Sequence, residues 1–404
     1  MMRTTLAMSL VALALASNAN ANTVDQELES LKARIAQLES DKANEEAAAE
    51  TKTKLNIGGA ARFQYAYLDY SESNKDRGGD FDFDVFRLDV DGSHGDLLFS
   101  AQYRWHQYMD IVHHAWVGYD FDEKQQGKIG ITQVPFGILT WASNSFFFSS
   151  NFYTGLEDDY DFGLNYTYKT DINRFDFAFY KNDELGGIDG YVSDRTERYS
   201  YDVIGVRADG EGTYDAPSIE VGETNTLNLR YVHNFKFDDV ALELGASGQM
   251  GQLEFADNTD GDHTAAAIHG VVNYDRWNVK LQLTDYEYDV EGMDVEQMVV
   301  GAYAFYDSIP AEATSYMANV AYSLPVELGP ISNLTFYNDY TVVTDKPGAL
   351  KDTFMNVTGV AITSGGLYTY VDFVVAENQP FIGGSMVGDG DTNKRLNINF
   401  GYYF

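Results

Sequence analysis

The chain has 404 residues with 29 Tyr, 25 Phe, 36 Gly, 7 Pro and no Cys, which excludes disulfide frameworks, CxxC metal sites and thiol nucleophiles. Its formal net charge of −35 excludes a general nucleic-acid surface, which needs a basic footprint, and leaves a cation-rich exterior or acidic, solvated loops. A chain that is polar on average yet 14% aromatic suits a wall with lipid on one face and water on the other.

The first predicted element is a processing segment. Arg3 supplies a positive start, Leu6–Ala16 an apolar stretch, and Ala19-Asn20-Ala21 a small-residue cleavage site. Residues 1–21 therefore read as a signal peptide removed after Ala21. Val24, Leu28, Leu31, Ile35 and Leu38 follow with 4-3-4-3 spacing, a coiled-coil seam of about two heptads. A seam this short needs partners. Ile at a and Leu at d lean towards a dimer, a trimeric barrel would bring three copies together, and a solvated amphipathic tether is the alternative. Residues 22–53 are read as this periplasmic coiled coil and its linker.

From Leu55 the period changes to two. Leu97, Phe99, Ala101, Tyr103 and Trp105 form one face, and Ser100, Gln102, Arg104 and His106 the other. No run is apolar over the roughly 18 residues that a spanning helix needs. A membrane chain without such helices must close its strands into a barrel, because lipid offers no partner to open backbone groups. The expected fold is thus all-β: a transmembrane antiparallel barrel over 54–404 with aromatic girdles. Eighteen runs read as strands, near 55–69, 81–93, 96–107, 111–121, 127–134, 160–169, 173–181, 200–208, 225–235, 239–253, 264–274, 277–288, 294–306, 314–324, 333–343, 353–363, 366–376 and 394–404. With both ends periplasmic the count is even, sixteen or eighteen. The run 200–208 is flanked by Gly- and Asp-rich stretches that suit a loop hairpin. Leu396, Ile398, Phe400, Tyr402 and Phe404 close the chain on the lipid phase, with Arg395, Asn397 and Asn399 on the watery one.

Read by that phase, Arg62, Arg87, Arg104, Arg174, Arg207, Arg230 and Lys280 face the lumen, with Asp89, Asp161, Asp176 and Glu243. Fixed guanidinium groups there attract and orient anions; the alternative is that they brace the wall by pairing with the acids. The connection 135–159 is too aromatic for a free external loop. Trp141, Phe146, Phe147 and Phe148 should fold it inward as a constriction, with Glu157, Asp158 and Asp159 on its return limb. A loop packed at a subunit interface is the other reading.

Signals for catalysis are weak. There is no HExxH, GxSxG or P-loop. His113 and His114 are strand neighbours expected on opposite faces, and Ser100, His106 and His114 are the residues from which a lipase-like pair could be built. The stretch DNTDGD at 257–262 lacks the closing Glu of a calcium loop and reads as a solvated turn. No catalytic residue, resident metal or cofactor is expected.

In order, the chain carries GGAARFQYAY, FRLDVDG, Val117-Gly118, KIGITQVPFG before the aromatic insertion, YSLPVELGPISNLTFYNDYT, and a final strand ending in Phe. This resembles the phosphate-selective porin O and P family. The resemblance implies a homotrimer of 16-stranded pores in the outer membrane of a Gram-negative bacterium. Each pore would be narrowed by an infolded third loop and made anion-selective by an arginine ladder and constriction lysines. Val134–Tyr160 contains no lysine and carries Glu157, Asp158 and Asp159 instead. The expected function is accordingly a porin, a passive channel for small hydrophilic solutes and ions in contact with outer-membrane lipid. An anion (phosphate)-selective porin and a plugged, envelope-tethering barrel are the alternatives.

Overall fold

The computed structural model describes residues 32–42, 53–146, 149–256 and 260–404. The signal segment, Val24, Leu28 and Leu31 of the seam, Phe147 and Phe148, and the first half of DNTDGD lie outside these residues. The chain divides into two units, Met1–Lys54 and Leu55–Phe404. In the first, residues 32–42 form helix α1, exposed throughout, so Ile35 and Leu38 are an unburied pair on its surface.

The strands are β1 (Thr53–Leu68), β2 (Asp80–His94), β3 (Leu97–His106), β4 (Asp110–Asp122), β5 (Gln125–Gln133), β6 (Tyr160–Lys169), β7 (Asn173–Asp183), β8 (Asp202–Val206), β9 (Ile219–Phe237) and β10 (Val240–Phe255). They continue with β11 (Asp260–Tyr274), β12 (Trp277–Val290), β13 (Gln297–Ala302), β14 (Phe305–Pro310), β15 (Glu312–Leu328), β16 (Ile331–Thr344), β17 (Thr353–Ser364), β18 (Leu367–Glu377) and β19 (Asn393–Tyr403). Sixteen of them close one antiparallel barrel. β1 pairs with β19 from Ala60↔Tyr403 to Leu68↔Arg395, and Gly59 and Phe404 exchange backbone hydrogen bonds of 3.0 and 3.1 Å. Closure leaves no edge to meet lipid.

The barrel is inside-out relative to a soluble protein. Phe99, Leu164, Phe177, Leu229, Ile268 and Leu281 are exposed on its outer face, while Gln102, Thr132, Asn228, Gln282, Asn319 and Asn397 are buried on the inner one. A band of apolar side chains left open on the outer face is stable only against lipid, which fixes the transmembrane reading. Phe63 stacks on Phe400 at 5.8 Å across the closing seam.

One end of the barrel has short turns. At two of them Asp238 and Asp275 take positive φ, 45° and 50°, a conformation that Asp tolerates better than most residues. The other end carries the long connections. One of these, between β1 and β2, holds the short helix α2 (Glu72–Arg77), capped by Ser71 and Gly78.

Two of the eighteen expected strands are not in the wall. The run 200–208 forms β8, and 294–306 breaks into the hairpin β13–β14. These three strands make a small sheet of their own, whose strand pairing with the barrel, among the described residues, is Gly205↔Glu220 and Val206↔Ile219 of β9. The physical reason is burial. Asp202–Val206 is buried at every position, and β13 at nearly every one, so neither presents an apolar face to lipid. With Phe136, Phe152, Tyr153 and Leu156 of the 134–159 segment, this sheet builds the main hydrophobic core, which sits inside the long-loop end of the barrel.

Gly130 of β5 has φ +130°, and a Cβ there would lie 2.3 Å from the Ala115 carbonyl oxygen of β4. Gly130→Ala is expected to cost about 1–3 kcal/mol, from the strained backbone and the clash. Thermal unfolding of the refolded barrel checks this; an unchanged midpoint contradicts so close an approach.

Candidate functional site

The segment 134–159 leaves β5, crosses the interior and returns to β6. Its described residues are pinned to the wall at several points. Gly137 N–H donates to Ser247 of β10 (2.8 Å) and Ile138 N–H to Gln282 of β12 (2.9 Å). The Asn144 and Ser145 amides donate to Asp339 of β16 (2.7 and 2.8 Å). Asn319 of β15 donates to the Ala142 carbonyl (2.8 Å), and Lys280 Nζ lies 3.4 Å from the Trp141 and Ser143 carbonyls. Glu157 ties the segment to itself, accepting from Ala142 N–H (2.8 Å) and the Ser149 hydroxyl (2.5 Å).

A cavity of about 630 Å³ remains against the opposite wall, β18-β19-β1-β2-β3. That wall contributes Arg62, Arg87, Arg104 and Arg395. Facing them from the infolded segment are Trp141, Phe146, Glu157 and Asp158, and from other connections Tyr199 and Tyr303. Arg62 pairs with Asp84 (2.8 Å) and lies 4.8 Å from the Phe146 ring centroid. Arg87 pairs with Asp89 (3.2 Å) and lies 5.3 Å from the Tyr403 ring. Arg104 donates to Gln102 (2.5 Å) and lies 4.4 Å over the Tyr199 ring; among the described residues no carboxylate pairs with it. Asp158, with φ 55°, accepts from Tyr199 (2.6 Å), Gln133 (3.0 Å) and Tyr160 (3.2 Å). Burial pushes the Glu157 and Asp158 carboxyls above the usual carboxylate range, against their hydrogen bonds, which act the other way.

Arg174 and Arg230 lie elsewhere on the wall and do not line this cavity. Both contact Asp176, at 2.9 and 3.5 Å, and Arg230 also donates to the Gly137 carbonyl (2.7 Å). Arg207 is not on a barrel strand, contrary to its expected phase. It follows β8 and holds connections together, donating to the Thr213 and Asp215 carbonyls (2.9 and 2.8 Å) and to Ser308. The alternation rule misplaced it because it assumed a lipid-facing strand. Asp159 turns away from the cavity towards Asp161 and Asp202.

His113 and His114 are not on opposite faces. The register slips between Gln102 and Tyr103, so His113 is the extra residue of a β-bulge. Their Nδ1 atoms approach to 3.0 Å, and His113 packs on Tyr160 and Tyr199. Ser100 Oγ lies 2.9 Å from His114 Nε2, a nucleophile–base spacing. Neither residue lines the cavity, and His114 Nδ1 faces His113 instead of an orienting carboxylate.

Sequence reasoning passed over Arg395, Asp84, Tyr199 and Tyr303 as cavity residues. Arg395 was readable, since it sits on the watery phase of the closing strand. The two tyrosines are delivered by connections, where no period places them.

No protein-family model matches the chain, and no curated protein matches it in sequence. Its fold is similar to solved outer-membrane proteins. One is the in-vitro folded trimer form of OmpT of Vibrio cholerae, with a TM-score of 0.53 and 12% identity, covering 87% of this chain and 99% of that one. A second is the outer membrane channel DcaP of Acinetobacter baumannii, at 0.53 and 12%, covering 87% and 97%. A third is an anion-selective porin from Comamonas acidovorans, at 0.54 and 12%, covering 87% and 100%. At these identities the likeness is one of fold, an outer-membrane barrel.

Proposed function

We propose that the chain is a porin: a passive, weakly selective channel for small hydrophilic solutes and ions across the outer membrane of a Gram-negative bacterium. The carrying observation is the cavity, with four wall arginines on one side and Glu157 and Asp158 on the other. Opposed fixed charges set up a field across the path, which orients dipolar solutes and favours neither ion sign strongly. The aromatic faces of Phe146, Tyr199 and Tyr403 shelter the guanidinium groups while leaving their edges free to donate. Nothing in this scheme needs a cofactor or an energy source. Swelling of proteoliposomes in sugars of graded size tests it: entry of monosaccharides is expected, and no entry of any solute supports a plugged, tethering barrel.

Anion selectivity, phosphate included, is the second reading. It is supported by Arg104, which forms no ion pair with a carboxylate among the described residues, and by the motif order that resembles the phosphate-selective porin O and P family. Block of chloride current by low phosphate would favour it. A homotrimer is supported by the trimer form among similar barrels and by the exposed Ile35 and Leu38 of α1. Export by a signal peptide cleaved after Ala21 completes the proposal.

The raised carboxyls give a pH dependence. As pH falls, Glu157 and Asp158 gain protons earlier than ordinary carboxyls, because burial raises them, and the arginines lose their counterweight. The reversal potential should then move towards anion preference. Glu157→Gln with Asp158→Asn should show that preference already at neutral pH, with the pH response flattened. An equal pH response in the double variant would contradict the assignment.

A further inference from the structure

We propose that Asp159, Asp161 and Asp202 form a binding site for a hard divalent cation, calcium in first place. The site clamps the return of the infolded segment, the start of β6 and strand β8 to one another. One carboxylate oxygen from each residue lies within 4.8 Å of the other two, and all three residues are buried. Calcium takes oxygen ligands at about 2.4 Å, so oxygens on opposite sides of one ion stand about 4.8 Å apart. The three groups thus fit within a single coordination sphere, and an all-oxygen donor set suits calcium better than zinc or copper.

The independent observation is Asp161 itself. It is 6% exposed, and among the described residues its carboxylate has no hydrogen-bond or ion-pair partner. The charged groups that act on it most strongly are acids, Asp159, Asp202, Glu223 and Glu184. Glu184 repeats the pattern: its side chain is 4% exposed, and neither carboxylate oxygen finds a hydrogen-bond donor, although Arg198 lies 3.4 Å away. Two arginines serve this region, and both are committed. Arg195 pairs with Asp183, and Arg198 with Asp183 (3.1 Å) and Asp202 (2.5 Å). Buried carboxylates in excess of their cations are costly unless an ion or protons offset them. Asp202 meets Arg198 through Oδ2 and lies beside Glu184. Asp159 lies beside the Ser200 hydroxyl, a further oxygen donor. The site is independent of which solute the channel passes.

Asp161→Asn is the informative variant, because it breaks no protein contact. Thermal unfolding of the refolded full chain is measured for wild type and variant, in chelator and in saturating calcium. A site that binds no ion predicts that Asn relieves repulsion and that calcium acts on both proteins alike. The proposal predicts that calcium raises the wild-type midpoint by a few degrees, through mass action on the folded state, and leaves the variant unmoved. Equal calcium shifts, or none, overturn it. If the variant does not refold, terbium luminescence sensitised by the adjacent Tyr160 is read on wild type. A signal that saturates at one ion per chain and is displaced by calcium supports the site; no sensitised emission overturns it.

Discussion

Replacing Arg62, Arg87 and Arg104 together with Gln is expected to shift the channel to cation preference, by about tenfold in permeability ratio. A unit charge acts on an ion 4 Å away with about 1 kcal/mol in water, and with opposite sign on anion and cation. Each lost arginine therefore moves the ratio severalfold before salt screening. The effect is amplified here because Asp84 and Asp89 stay behind without their partners, at 2.8 and 3.2 Å in the native wall. Among the cavity's arginines only Arg395 then still opposes Glu157 and Asp158. Reversal potentials under a salt gradient measure the shift. If the arginines only brace the wall, the variant unfolds more easily but its ion preference does not move. Single changes order the contributions: Arg104→Gln should shift selectivity most for the least loss of stability, since no carboxylate is orphaned by it.

Removing the anchors of the infolded segment should have the largest effect on conductance. Asp339 accepts from the Asn144 amide, the Asn144 side chain and the Ser145 amide at 2.7, 2.7 and 2.8 Å. Glu157 accepts from Ala142, Ser143 and Ser149 within the segment itself. Hydrogen bonds to charged acceptors contribute about 1.5–3 kcal/mol each. The double variant Asp339→Ala, Glu157→Ala thus loses several such contacts and leaves buried amides unpaired. The segment should leave the wall, with larger and noisier single-channel steps and faster proteolysis within 134–159. The barrel strands should remain, because their ladder bonds do not depend on the segment. Conductance equal to wild type in a folded double variant would show that the segment does not narrow the path.

Most of the wall was legible in the sequence, because one physical rule writes it. A strand with lipid on one side and water on the other must alternate, and the register of the closing strand fixes which phase is which. Where the environment is not lipid against water, that rule has no hold. The stretch 294–306 is rich in apolar residues and reads as one strand, yet it turns at Tyr303 and Ala304. Both take positive φ, 51° and 60°, and neither is the Gly, Asn or Asp that signals such a turn. The turn is held from outside, by the Arg198 and Thr196 carbonyls accepting from Tyr303 and Ala304 at 3.0 and 2.8 Å. The His113 bulge is similarly silent, since an inserted residue shifts the phase without changing composition. Within the cavity, strand residues such as Arg62, Arg87 and Arg104 could be read from their phase. Tyr199 and Tyr303, carried by connections, depend on tertiary packing that no local pattern records. The division of labour among the arginines was not legible either, because pairing with Asp84, Asp89 or Asp176 is a matter of cross-strand neighbours.

Single-channel recording in planar bilayers under a salt gradient tests the central claim most directly. An open path along the β18-β19-β1-β2-β3 wall, lined by opposed charges, predicts stepwise conductance and a small reversal potential. Absence of steps, or a reversal potential at the limit for one ion, would contradict it.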